Sequence, residues 1–168
     1  MKKVAVLVAI LVCLISSVHA QTGWITFKVD SKVSIKFPIE PLLLDANTYC
    51  VIDSSKKKAF MFTAIDFVKA GGIDSLTLLK QKNTLEFVVK LKTTMEQTLT
   101  GVNLTDFSIG KWKGYTSYNS FGLDDEKKRY DIFIFIIGDV GYCLSTVTKD
   151  GVPLNDRDKF FSSVILTP

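Results

Sequence analysis

The chain has 168 residues, 47% of them hydrophobic, with 21 basic and 17 acidic side chains and a formal charge of +4. Its single histidine, His19, lies within the first 20 residues, and its only arginines are Arg129 and Arg157. If those 20 residues are removed, Ser-His-Asp and Cys-His catalysis, His-ligated zinc and histidine-based pH sensing are excluded.

Residues 1–20 read as a secretory signal peptide. Lys2 and Lys3 precede a short apolar run from Val4 to Ile15, and Val18-His19-Ala20 ends it on a small residue, so cleavage is expected between Ala20 and Gln21. The run is too short to favour spanning a bilayer, so no transmembrane anchor is expected after cleavage. The protein is then secreted or periplasmic. The remaining 19 basic and 17 acidic groups leave +2, and with so few arginines to grip phosphates, nucleic acid is not an expected partner. No repeat, low-complexity tract or long linker interrupts residues 21–168, so they form one domain, expected to be a monomer.

In chain order, Trp24–Val29 alternates weakly, and Val33, Ile35 and Phe37 alternate cleanly after the turn Asp30-Ser31-Lys32. That is an opening hairpin with one face toward water, ended by Pro38 and Pro41. Tyr49–Asp53 is a short strand. Ser54–Lys58 is a polar turn whose three lysines form either a solvated loop or an anion patch. Ala59–Val68 is a strand apolar on both sides, and Asp66 near its end needs a partner or a wet position. Gly71-Gly72 breaks the pattern. From Asp74 to Leu99 the period becomes helical, with a break near Lys82 and a capping pair Asn83/Glu86. Val88, Leu91, Met95 and Leu99 share one face of that helix, and Gly101 stops it.

Val102–Ile109 and Tyr115–Phe121 read as strands joined by the tight connection Gly110–Gly114. Asp124–Arg129 is a charged turn. Tyr130–Thr148 is the hairpin around which the chain is organised: Ile132–Ile137 is an unbroken apolar run, so both faces of that strand need cover, and Gly138–Gly141 turns it. A final helix is capped by Asn155, has acids in its first turn, and carries Phe160, Phe161 and Val164 as an apolar patch. Short connections make the sheet antiparallel. The fold class is α+β, an antiparallel sheet packed with helices in a layered α/β/α sandwich.

This order of elements resembles the PsbP-like fold family. The residues carrying the resemblance are Trp24-x-x-Phe27, Val33-x-Ile35-x-Phe37-Pro38 followed by Pro41, Tyr49-x-Val51, the single long helix, the antiparallel strands after it, and Phe160-Phe161-Ser162-Ser163. The resemblance implies an antiparallel sheet with helices against it and a non-enzymatic binding or assembly role. No functional residue carries over from it, because no functional motif is matched.

Function has to be sought among individual residues. Trp112, between Lys111 and Lys113 and followed by Tyr115 and Tyr118, is either a contact residue for a partner or a lid folded over the core edge. Lys111, Trp112, Tyr115 and Tyr118 are the candidate partner-binding residues. Cys50 and Cys143 are either a disulfide or two separate buried thiols. Asp124, Asp125 and Glu126 offer oxygen ligands for a hard cation, but the basic residues that follow favour a solvated turn. No catalytic, metal or cofactor motif is present, and no cofactor is expected. The leading reading is an exported, non-enzymatic module that binds a protein or envelope component. The alternatives are a carrier of a small apolar ligand, held between the sheet and the 83–99 helix, and a histidine-free hydrolase in which acids such as Asp66 and Asp131 meet.

Overall fold

The computed structural model describes residues 23–167; the expected signal segment and its expected cleavage between Ala20 and Gln21 lie outside them. The strands among the described residues are β1 (Ile25–Lys28), β2 (Val33–Phe37), β3 (Leu42–Asp45), β4 (Thr48–Asp53), β5 (Lys58–Asp66), β6 (Asn103–Leu104), β7 (Ser108–Trp112), β8 (Tyr115–Leu123), β9 (Arg129–Ile137), β10 (Val140–Thr148) and β11 (Ile165–Leu166). The helices are α1 (Phe67–Gly71), α2 (Ser75–Gln81), α3 (Leu85–Thr98) and α4 (Asn155–Ser162). The main sheet runs β3-β4-β5-β10-β9-β8-β6, with β7 also paired to β8, and every pairing in it is antiparallel. A second, three-stranded antiparallel sheet runs β1-β2-β11.

The β9–β10 hairpin lies at the centre, as its composition requires. Val140 pairs with Ile137 across a two-residue loop, in which Gly138 takes a φ of 61°. Ile132, Phe133, Ile134, Phe135 and Ile136 are all 6% exposed or less, so both faces of β9 are covered. Phe133 and Phe135 join Phe60, Phe62, Tyr142 and Leu144 in one core, closed by Val33, Ile35 and Phe37 of β2 and by Phe160 of α4. On the other face Ile132, Ile134, Ile136 and Tyr118 meet Val88 and Leu91 of α3, with Met95 and Leu99 packed at the margin. The apolar stripe read from the sequence is thus the packed face of α3. The architecture is an α/β/α sandwich in which one outer layer is shared between α4 and the small sheet.

Several local expectations are corrected. The cap of α3 is Thr84, whose hydroxyl accepts from the Phe87 N–H at 3.3 Å. Asn83 instead accepts from the Thr116 hydroxyl, and Glu86 pairs with Lys90. Asn155 is the first residue of α4 rather than its cap; Leu154 holds the cap position without a side-chain bond. The α4 helix is held by Phe160, fully buried between Phe37 and Phe60 at 5.3 Å from each. Such burial stabilises by about 2–3 kcal/mol, more than eight residues of helix propensity can supply. The expected strand over 102–109 is two strands, β6 and β7. Between them Thr105 turns back onto β8, its N–H donating to the Phe121 carbonyl and its carbonyl accepting from Ser120, while Phe107 enters the core.

Candidate functional site

The short strand β3 follows buried Pro41 at the outer edge of the main sheet. Among the described residues its only sheet neighbour is β4, and no strand of theirs pairs with its outward N–H and C=O groups. Register slips between Leu43 and Asp45, which leaves Leu44 as a bulge. Leu42, Leu43 and Leu44 are 69%, 61% and 60% exposed, and Ile52 on β4 is 67% exposed. Leu42 pairs with Cys50, and Ile52 lies two residues further along β4, so Leu42 and Ile52 share the sheet face that α3 covers elsewhere. The helical layer ends before it reaches them. Leu43, level with Tyr49, turns to the opposite face, so apolar side chains are exposed on both sides of this edge, and such exposure marks a contact surface.

Asp45, the last residue of β3, also forms a wall of a cleft of about 630 Å³. Asp30, Asp66, Tyr49, Asn47 and Lys69 line it as well. Each aspartate has a local structural task. Asp45 accepts from the Asn47 N–H at 2.9 Å and closes the β3–β4 turn. Asp30 accepts from the Lys32 and Val33 N–H groups at 2.7 and 2.8 Å, and from the Tyr142 hydroxyl at 2.7 Å. Asp66 caps α1 by accepting from the Val68 and Lys69 N–H groups, with the Lys69 ammonium 3.3 Å away. The acid at the end of the apolar strand is therefore a helix cap. The Asn47 N–H holds the Asp45 carboxyl below the ordinary carboxylate range, and the Lys69 N–H does the same for Asp66. The cleft sets three carboxyl groups against a single ammonium.

The candidate contact residues of the 110–118 segment do not form one surface. The turn there is Lys113-Gly114, with φ of 49° and 86°, and Trp112 pairs with Tyr115 across it. Trp112 folds over the first core, its ring 4.6 Å from Phe135 and 5.8 Å from Phe133, with the Lys113 ammonium on its other side. Tyr118 is fully buried on the opposite face, its hydroxyl donating to the Lys82 carbonyl. In a strand, residues three apart point to opposite sides, so Tyr115 and Tyr118 cannot meet one partner together. Tyr115 is half-buried, and exposed Lys111 donates to Thr116 at 3.2 Å.

Other candidates are also resolved. Cys50 and Cys143 are free. Strand β5 lies between theirs, with Cys50 opposite Met61 and Cys143 opposite Thr63. Two strand spacings, about 10 Å, exceed the reach of a disulfide. Burial raises both thiols, Cys143 to about 12, which suits inert core residues. Two of the three lysines of 54–58 are engaged by acids: Lys56 pairs with Asp53, and Lys58 reaches Asp156 of α4 at 2.9 Å. In the 124–129 turn Lys128 pairs with Glu126, and Asp124 accepts the Lys128 N–H. Asp131 is buried and holds both arginines, Arg129 at 2.9 Å and Arg157 at 3.1 Å, beside a second cleft of about 520 Å³. Along β10, Asp66 lies level with Val140 and Asp131 level with Thr146, so the two acids stand at opposite ends of the sheet. Between α3 and the sheet the space is filled by the second core, and neither cleft is lined by α3.

The β3 edge escaped sequence reasoning because three adjacent leucines after a proline carry no period. The signal that was there is their fit to a strand ending in Asp-Ala-Asn, a turn-forming sequence.

Among the described residues no helix is long and apolar enough to cross a membrane. No family model matches the chain, and no curated protein does. Solved structures are similar to it, among them two that align with most of this chain. A crystal structure from Bacteroides thetaiotaomicron aligns with 88% of this chain at 10% identity and a TM-score of 0.49; this chain spans only 50% of that one. The solution structure of cyanobacterial PsbP (CyanoP) from Synechocystis aligns over 89% of this chain and 95% of its own, at 10% identity and a TM-score of 0.56. That second likeness, nearly complete in both chains, makes the fold of this protein PsbP-like.

Proposed function

We propose that this protein is an exported, non-enzymatic binding or assembly module, and that it engages a protein or envelope component through the β3 edge. The observation carrying this reading is the run of exposed leucines 42–44 on a strand with one open side, continued by Ile52. A soluble chain keeps such a surface only at a cost in aggregation unless something covers it in use. The hairpin around Trp112 gives less support, since its aromatic rings are engaged with the core.

A photo-crosslinking residue at Leu43, placed in the protein within its own host, tests the reading. The expected result is a discrete adduct in the export compartment, carried by a chain whose mass starts at Gln21, while the same probe at Lys111 gives none. Adducts at Lys111 and none at Leu43 would move the contact surface to the hairpin. No adduct at either position would remove the binding-module reading.

A further inference from the structure

We infer that the β3 edge and the cleft at its end form one docking groove for an extended, basic protein segment, with apolar side chains lying on the leucines and a lysine or arginine entering the cleft. This rests on the binding-module reading above and adds the chemistry of the partner. The two surfaces are continuous, because Asp45 is both the last residue of β3 and a wall of the cleft. The Leu44 bulge interrupts a regular ladder, so side chains and charge, more than added strand hydrogen bonds, select the occupant.

Charge decides among occupants. Asp30, Asp45 and Asp66 face the cleft, and the Lys69 ammonium, next to Asp66, is the single basic group among its lining residues. This is a local excess of negative charge in a chain whose overall balance is positive. An anionic lipid surface is repelled there. A second copy is disfavoured too: pairing β3 with itself about Leu43 by a two-fold axis sets Asp45 of each copy beside Pro41 and Glu40 of the other, acid near acid. A cationic side chain following an apolar run meets both halves of the groove.

Fluorescence anisotropy with the purified protein tests this, using three probes. One is a labelled peptide of alternating valine and threonine ending in paired lysines. The second ends in paired glutamates, and the third is a phosphatidylglycerol vesicle. The lysine peptide is expected to bind, with the glutamate peptide about tenfold weaker or worse, and added salt should narrow the gap. The combined Asp45→Asn and Asp66→Asn variant keeps an acceptor for the Asn47 and Lys69 N–H groups, so it should stay folded, its thermal midpoint lowered only by the loss of the two carboxylate charges, while lysine-peptide affinity falls about tenfold. Leu43→Asp should abolish binding of both peptides. Equal affinity for the two peptides, no effect of the asparagine pair, or vesicle binding in place of peptide binding would each overturn the inference. A Leu43 adduct in the host together with charge-blind peptide binding would leave the binding-module reading standing and remove only this one.

Discussion

Asp131 is a buried acid that holds two arginines from different elements. Its carboxylate is 6% exposed and takes the Arg129 guanidinium through Nε and Nη2 and the Arg157 guanidinium through Nη1. It thereby ties α4 to the central hairpin. Its removal leaves the Arg129 guanidinium without its carboxylate and the Arg157 guanidinium held by Asp158 alone. Asp131→Ala is expected to lower the unfolding free energy by about 3 kcal/mol, whereas Asp158→Ala, whose carboxylate is largely in water, should cost less than about 1 kcal/mol. Urea titrations of the two variants side by side read the difference. Neither the burial of Asp131 nor its partners was legible in the sequence, because Arg129 is two residues away on the same strand and Arg157 arrives from another element altogether.

Elements are joined by a few such single contacts, and Tyr118 makes one of them. From β8 it reaches the Lys82 carbonyl at the corner between α2 and α3. Tyr118→Phe strands that carbonyl in a partly buried place, so a loss of about 1 kcal/mol is expected, with amide exchange in α2 accelerated while β9 and β10 stay protected. The sequence already sets Tyr115–Phe121 in a strand, whose period of two puts Tyr118 on the face opposite Tyr115; grouping the two as contact residues overlooks that alternation. Where the period was unambiguous the reading held. The apolar run of β9, the β2 alternation and the Val88–Leu91–Met95 stripe of α3 all stand where periodicity put them. The elements that were missed or divided differently have their ends set by other parts of the chain. Strand β3 gains its identity from β4, the β6–β7 break from Thr105 bonding to β8, and β11 from an edge of β2 that only the folded chain presents.

Across the whole molecule, acid should be the destabilising direction. Asp45, Asp53, Asp66 and Asp74 each accept hydrogen bonds at a turn or helix start, and their carboxyls are held below the ordinary value of 3.8. A carboxyl lowered in the folded state contributes stability that is full above its unfolded value and is lost as pH falls through its folded one. Thermal midpoints should therefore be flat through neutral pH and drop below the ordinary carboxylate value, with no step near pH 6.5, where a histidine would act. A midpoint that rises on acidification would contradict this. The closure of the small sheet has a different consequence, for the order of events in folding. Ile165 and Leu166 pair with Ser34 and Val33, joining strands that lie about 130 residues apart in the chain. Until residue 166 is free to move, β2 has only one neighbour, and the first core lacks Phe160 and Val164 as part of its lid. If the chain is exported N-terminus first through a narrow passage, it cannot finish folding behind its leading end. It stays open, and open to whatever receives it, until the last strand is through.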